Sequence, residues 1–318
     1  MTVLVLTASD DDTATRVCQA LDDRGCDYAR MDLGDFPEEL SFTATGPDPV
    51  WAGWLFDGQR DLRLSEITAV YYRRPSSFRF PTHLTAQEQR FAAAEARQGL
   101  GGLLSCLRVP FVNHPSRIAD AELKPAQLQA AADIGFRVPR TLITSDAGQA
   151  RAFAGEIDGQ IVYKPLTAAF LHTDGDVKLV YATIIEPDDL DDGAIALGPC
   201  QFQVFIPKRH DVRLTAVGRE CFATVIHAGS EKSYLDWRAD YPSLRYEPVA
   251  TPEPVAATVA AYLQRFGLAF GCFDFTVDTA GDWWFLECGA NAQWGWIEHE
   301  TGLPIADAIA RRLTGDTT

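Results

Sequence analysis

The run Phe273-Asp274-Phe275, followed by Trp283-Trp284-Phe285-Leu286-Glu287-Cys288-Gly289-Ala290-Asn291, decides how the chain is read. Two apolar segments flank Asp278-Thr279-Ala280-Gly281-Asp282, a turn by composition, so the stretch predicts a β-hairpin. Each strand carries one carboxylate, Asp274 or Glu287, in an apolar setting. A buried carboxylate is costly unless it is paired or meets a cation. Two that face each other want Mg²⁺, and Mg²⁺ in a protein usually brings a nucleotide. The rest of the chain can be tested against that idea.

With 318 residues, the length suggests two domains or three closely packed lobes. A hydrophobic share of 47% gives a sizeable core, and a net charge of −16 argues against a nucleic-acid surface and against anionic membranes. The same charge suits a basic or neutral peptide partner, or solubility alone. The seven cysteines are scattered, with no CxxC and no nearby histidine pair, which supports neither zinc nor a disulfide framework. No signal segment and no bilayer-length apolar run is present, so a soluble, cytoplasmic protein is expected.

Upstream of the hairpin, TVLVLT (2–7), a helix through Asp23 and the strand Tyr28–Asp32 form a βαβ opening, the start of a doubly wound sheet. No GxGxxG follows the first strand, so this is no dinucleotide fingerprint. Residues 41–64 read as a small antiparallel excursion. The strand 67–72 runs directly into Arg73-Arg74-Pro75, at the strand end where open α/β sheets place ligands. Thr85 with Glu88 makes a capping box for a helix to Leu107. One helix is expected from Ile118 to Ile134, carrying Lys124. Lys164 lies inside the apolar strand 161–166, where a lysine needs an anion. A small-residue loop (167–176) follows, then a strand 179–185. Gln203-Val204-Phe205-Ile206 ends a strand at Pro207, and Asp211-Val212-Arg213 opens the next. Residues 230–247, with Asp236-Trp237-Arg238, are polar and aromatic. A helix from Pro254 precedes the hairpin, and another over 303–313 follows it.

Singly these signals are weak, and their order says more. Helix lysine, strand lysine, loop, hinge strand, D-x-R and then D…E…N suit a triphosphate held between two sheets, with lysines on the phosphates and carboxylates on Mg²⁺. At this point the sequence resembles the ATP-grasp superfamily, and within it the peptide maturases that make graspetides (microviridin-type ω-ester and ω-amide peptides), especially the actinobacterial branch. The residues that carry the resemblance include Tyr72-Arg73-Arg74-Pro75, Asn113-His114-Pro115, Lys124, Tyr163-Lys164-Pro165-Leu166, Gln203 to Ile206, Asp211-Val212-Arg213, Asp236-Trp237-Arg238, Phe273-Asp274-Phe275, Phe285-Leu286-Glu287 and Gln293-Trp294-Gly295-Trp296.

The resemblance implies an α/β and α+β protein with the ATP-grasp fold. A doubly wound pre-ATP-grasp domain (1–113) would precede two lobes that clasp ATP, 114–192 and 193–318. It also implies roles. Lys124 and Lys164 would bind ATP phosphates, Gln203, Val204, Phe205 and Ile206 would form the adenine hinge, and Asp211 would reach ribose. Arg213 and Arg238 would stabilise the transferring phosphoryl group, and Asp274 and Glu287 would hold Mg²⁺. Arg73 and Arg74 would receive the substrate carboxylate or would be structural. The family pattern places a metal-binding asparagine where this chain has Gly289; Asn291 or water takes that position here, or Mg²⁺ binding is weakened. The implied reaction is ATP-dependent: a side-chain carboxylate of a ribosomal precursor peptide is phosphorylated, and a Ser/Thr hydroxyl or Lys amine of the same peptide then closes an ester or amide ring. The implied partners are the leader and core of that peptide and a second copy of the chain, with no nucleic acid and no membrane. The rival readings are a ligase that joins separate molecules and a nucleotide- or peptide-binding relative without turnover.

Overall fold

The computed structural model describes residues 2–167, 170–173 and 176–316, with backbone only for 170–173 and 176–178. The first strand, β1 (Thr2–Thr7), is wholly buried, as a run without polar alternation demands. It lies parallel between β2 (Tyr28–Met31) and a strand that comes later in the chain. The excursion is a three-stranded antiparallel sheet of β3 (Ser41–Thr45), β4 (Ala52–Phe56) and β5 (Asp61–Arg63). Strand β6 (Ile67–Arg73) then returns beside β1, and β7 (Phe111–Val112) closes the parallel sheet in the order β2-β1-β6-β7.

The expected helix 118–134 is two helices, Pro115–Ala121 and Lys124–Ile134. Pro125 supplies the reason: without an N–H, and with a ring that clashes one turn back, proline is tolerated in a first turn but not inside a helix. Lys124 therefore opens a helix instead of lying along one.

The second lobe is a four-stranded antiparallel sheet. Its strands are β8 (Thr141–Thr144), β9 (Ile161–Lys164), and two later ones that flank β9. The expected covering loop at 167–176 lies partly outside the described residues. Where the backbone is described, β10 (Phe170–Thr173) and β11 (Asp176–Leu179) pair antiparallel, so the segment is a hairpin and the expected strand 179–185 shrinks to β12 (Thr183–Ile185). With β13 (Cys200–Val204) the lobe's order is β12-β9-β13-β8.

The third sheet is antiparallel and holds β14 (Lys208–Val217), β15 (Glu220–His227), β16 (Arg245–Val249), β17 (Phe270–Asp278) and β18 (Trp283–Gly289), in the order β16-β15-β14-β17-β18. One face packs on the helices 124–134 and 253–266 through Phe273, Phe275, Phe285, Tyr262 and Leu263. A second core joins this sheet to the parallel one: Val3, Val5 and Tyr71 share it with Phe270, Cys272, Trp294 and the C-terminal helix Ile305–Thr314. The helix Gly295–Thr301 between them was not expected from the sequence.

Candidate active site

The hairpin expected at the start is β17–β18, and its turn is built by Asp278, whose Oδ1 accepts from the N–H groups of Ala280 and Asp282, both at 2.9 Å. Register does the rest. Arg213 on β14 sits directly across from Asp274 on β17, and Asp274 sits directly across from Glu287 on β18. Three charged residues thus stand in one row across three strands. A bulge between Asp274 and Phe275 leaves Leu286 without a cross-strand partner. Such an insertion turns a strand, and here Leu286 lines the cleft between the two lobes.

Each carboxylate of the row has its own cation. Nη1 of Arg213 donates to both oxygens of Asp274 at 2.8 Å, and its Nη2 donates to the Gln293 carbonyl at 2.9 Å. Lys124, at the start of its helix, pairs with Glu287. Burial and the neighbouring Glu287 push the Asp274 carboxyl above its usual range, against the pull of Arg213. Burial also works on Glu287, but Lys124, reinforced by Arg238 and Lys164, wins and holds it ionised. Arg238 donates to Asp236 through Nε at 2.9 Å and Nη2 at 2.7 Å. Asp236 also accepts from Ala182 N–H at 3.1 Å, which ties the chain before β12 to the arginine.

A cleft beside this row, reached through Leu286, is lined by Val162, Lys164, Ala182, Leu235, Thr276 and Leu286 and bounded on one side by Gln203–Ile206. The hinge backbone is partly spent on the fold: Val204 N–H goes to Arg140 O and Phe205 N–H to Gln160 O. Among the described residues the Phe205 carbonyl and the Ile206 N–H stay free for a ligand's edge. The Gln203 side chain is engaged as well. It accepts from Lys164 Nζ at 2.8 Å and donates to Thr141 Oγ1 at 2.9 Å. It aims the lysine into the cleft. Among the described residues Lys164 has no carboxylate partner, and burial, with Lys208 nearby, pulls its ammonium down to about 8. Asp211 is buried and paired with Lys208 at 2.6 Å. Lys208, absent from the sequence reading, lines the cleft because an irregularity beside it leaves Arg209 out of register.

The other expected site residues fall elsewhere. Arg73 is 2% exposed and faces the loop after β18, so it acts as a clasp and not as a receptor for incoming substrate. Arg74 is exposed, donates through Nε to Asn291 O at 2.9 Å, and holds a backbone φ of 45°, the one non-glycine residue with positive φ among those described. Strain of this kind, about 1–3 kcal/mol, persists where the surroundings enforce it. The Asn291 amide oxygen accepts from Arg73 at 3.3 Å, so a metal-ligand role would require it to leave that arginine. At Gly289 an added Cβ would lie 2.5 Å from Cβ of Ala292, so in this loop conformation an asparagine does not fit there.

Two amides hold the end of the hairpin in place: Gln127, which sequence reasoning passed over, and Asn113, which it named without a role. Gln127 accepts from Cys288 N–H at 3.0 Å and donates to its carbonyl at 2.9 Å, next to Glu287. Asn113 accepts from Ala269 and Phe270 N–H at 2.7 and 3.0 Å and donates to the Phe270 and Ala290 carbonyls at 2.8 and 2.7 Å. A buried amide with all its valences filled marks a position, but a single sequence carries no sign of it.

The comparisons bear on the chain as a whole. Residues 2–119 match the family model of the MvdD pre-ATP grasp domain. The fold matches, at TM-score 0.93 and 26% identity over 100% of this chain and 97% of the other, a RiPP-associated ATP-grasp ligase from Chryseobacterium gregarium in complex with ADP and a leader and core peptide. It matches the macrocyclase MdnC from Microcystis aeruginosa, bound with its precursor peptide MdnA, at TM-score 0.87 and 27% identity over 99% and 100%. The macrocyclase MdnB from the same organism follows at 0.82 and 25%, over 98% of both chains. No curated protein matches the sequence. Over its whole length the chain is thus similar in fold to ATP-grasp ligases. Within that class the chain stands with the enzymes that act on ribosomally made peptides.

Proposed function

We propose that the protein uses ATP to close ester or amide rings in a ribosomal precursor peptide. The observation that carries this reading is the row Arg213–Asp274–Glu287–Lys124 beside a cleft lined by two further cations, Lys164 and Lys208. Adenine enters against Val162, Ala182 and Leu286 and meets the Phe205–Ile206 backbone. Lys164 and Lys208 meet phosphate oxygens, and Lys124, paired with Glu287, would join them were that carboxylate to hold Mg²⁺.

Asp274 and Glu287 would hold Mg²⁺, and the donor set fits. Mg²⁺ is usually held by one or two carboxylates with substrate phosphates and waters. Bound there, it would neutralise charge on the transferring phosphoryl group. The chain's own groups do the remaining work. Arg213 and Arg238, both anchored by carboxylates, offer fixed positive charge to the equatorial oxygens. Arg74, whose terminal nitrogens have no partner among the described residues, receives the peptide carboxylate. That carboxylate attacks the γ-phosphorus and ADP leaves. The peptide's hydroxyl or amine then attacks the acyl carbon, and phosphate leaves as hydrogen phosphate, carrying the proton that the nucleophile gives up.

The core of the precursor would bind at the cleft and the leader away from the nucleotide, and a homodimer is part of the proposal, checked by light scattering. Among the described residues no helix is long and apolar enough to cross a membrane, which suits a cytoplasmic maturase. The decisive assay mixes the protein, ATP, Mg²⁺ and the peptide encoded beside its gene. ADP release together with loss of one water per ring supports the proposal. ADP release with addition of a separate amino acid would assign the rival ligase reaction, and nucleotide binding without any phosphate release would leave a binding protein.

A further inference from the structure

We infer that Arg73, in the N-terminal sheet, is a positioning residue for the phosphoryl-transfer centre, acting through the Asn291–Gln293 loop on Arg213. The inference rests on the ligase reading above. Arg73 ends β6 and is almost fully buried, too deep for incoming substrate. Its Nη1 donates to the Asn291 carbonyl at 2.9 Å, and its Nη2 donates to Gln293 Oε1. Its Nε lies 3.4 Å from Asp11 Oδ2. Asp11 is itself immobilised, because its Oδ1 caps the helix Asp12–Asp22 by accepting from Ala14 N–H at 2.9 Å.

Gln293 is the crossing point. Its side-chain oxygen also accepts from Thr13 Oγ1 at 3.0 Å, so the first helix and the end of β6 grip the same amide. Its backbone carbonyl accepts from Arg213 Nη2 at 2.9 Å. Arg213 is thus held from two sides, by Asp274 within its own sheet and by a carbonyl whose place is set by the N-terminal sheet. Both holds matter, because a guanidinium bonded only to Asp274 is free to pivot about that carboxylate. Misplacement of a catalytic group by about 1 Å costs on the order of 100-fold in rate. The loop has no regular secondary structure of its own to fix it: residues 290–294 run between β18 and the next helix.

The test is a double-mutant cycle in turnover, with single-ring formation followed by mass spectrometry over hours so that slow variants stay measurable. Thermal melts and KM for ATP are recorded alongside. R73M is expected to lower kcat by about 10- to 100-fold with KM for ATP within about twofold, the pattern of an interaction made only in the transition state. In an R213K background the same R73M change is expected to cost little further, because the group it positions is already altered. T13V removes one of the two grips on Gln293 without touching a charge. It is expected to lower kcat severalfold and to show the same non-additivity, so the inference stays testable if R73M does not fold. Additive losses from R73M or T13V in the R213K background would overturn it, and so would a folded R73M enzyme with unchanged kcat. Failure of the ligase reading is distinct, since wild-type protein would then form no ring.

Discussion

The two sheets that face each other across the cleft treat their charges in opposite ways. In the β14–β17–β18 sheet the charges of the row are matched before any ligand arrives: Arg213 with Asp274, and Lys124 with Glu287. In the β8–β9–β12–β13 sheet Lys164 has, among the described residues, only the neutral amide of Gln203, and its ammonium is pulled down to about 8. The first arrangement holds geometry at the cost of desolvating ion pairs. The second stores an unmet demand for an anion, which a triphosphate satisfies. One sheet is pre-organised for chemistry, and the other is poised for binding.

Removing a charge from each sheet breaks the comparison most sharply. R213M strips Asp274 of its counter-ion, and an uncompensated buried charge costs roughly 3–5 kcal/mol. The expected result is a lower melting temperature together with a loss of turnover of about 1,000-fold or more, the scale of a phosphoryl-transfer arginine. A folded, active R213M enzyme would remove the row from the mechanism. K164M is expected to weaken ATP binding by about 10- to 100-fold, roughly 1.4–2.8 kcal/mol. It should leave the melting temperature unchanged or slightly raised, because an ammonium without a charged partner is no longer held from water. Equal losses of stability in both variants would erase the distinction.

The pH dependence sharpens the same point. The folded-state pKa of Lys164 lies below the usual lysine value, so nucleotide phosphates must raise it. Binding then takes up a proton near pH 8, and ATP affinity falls as pH rises above that. For the ligand-free protein the sign is reversed. Between about 8 and the ordinary lysine value the unfolded chain binds more protons at this site, so its contribution to stability rises with pH. Calorimetric titrations of ATP in buffers of different ionisation enthalpy check the uptake, which K164M should abolish.

The smallest expected effect tests the loop behind the row. G289N places a Cβ 2.5 Å from Ala292 Cβ, and overpacking of this kind costs about 1–3 kcal/mol. The companion change A292G is expected to restore the melting temperature. With the asparagine then accommodated, the Mg²⁺ concentration for half-maximal turnover is expected to drop. A double variant no more stable than G289N alone would show that the loop, not the contact, is at fault.

Much of the site was legible because its signals are local. Asp274 and Glu287 stood out as carboxylates in apolar strands, and Lys164 as a lysine in another. Asp278 to Asp282 marked the turn that pairs the two carboxylates. The opening βαβ unit and the excursion at 41–64 followed from periodicity and caps. The break at Lys124–Pro125 was equally local and was overlooked. Gln127 and Lys208 were not legible, nor was the role of Asn113: a glutamine on a helix or a lysine after a proline becomes informative only when its partners, far away in the chain, are known.

By itself, then, the sequence determined which residues could carry charge into a core, since burial is written in the apolar neighbours of each strand. Tertiary structure alone decided how those charges are shared. Cross-strand register set Arg213 against Asp274, and helix docking set Lys124 against Glu287. The packing of the N-terminal sheet on the Asn291–Gln293 loop turned Arg73 from a candidate substrate receptor into a clasp. Pairing energies depend on distances between segments that can lie 280 positions apart in the chain, as for Thr13 and Gln293, and no local pattern encodes those distances.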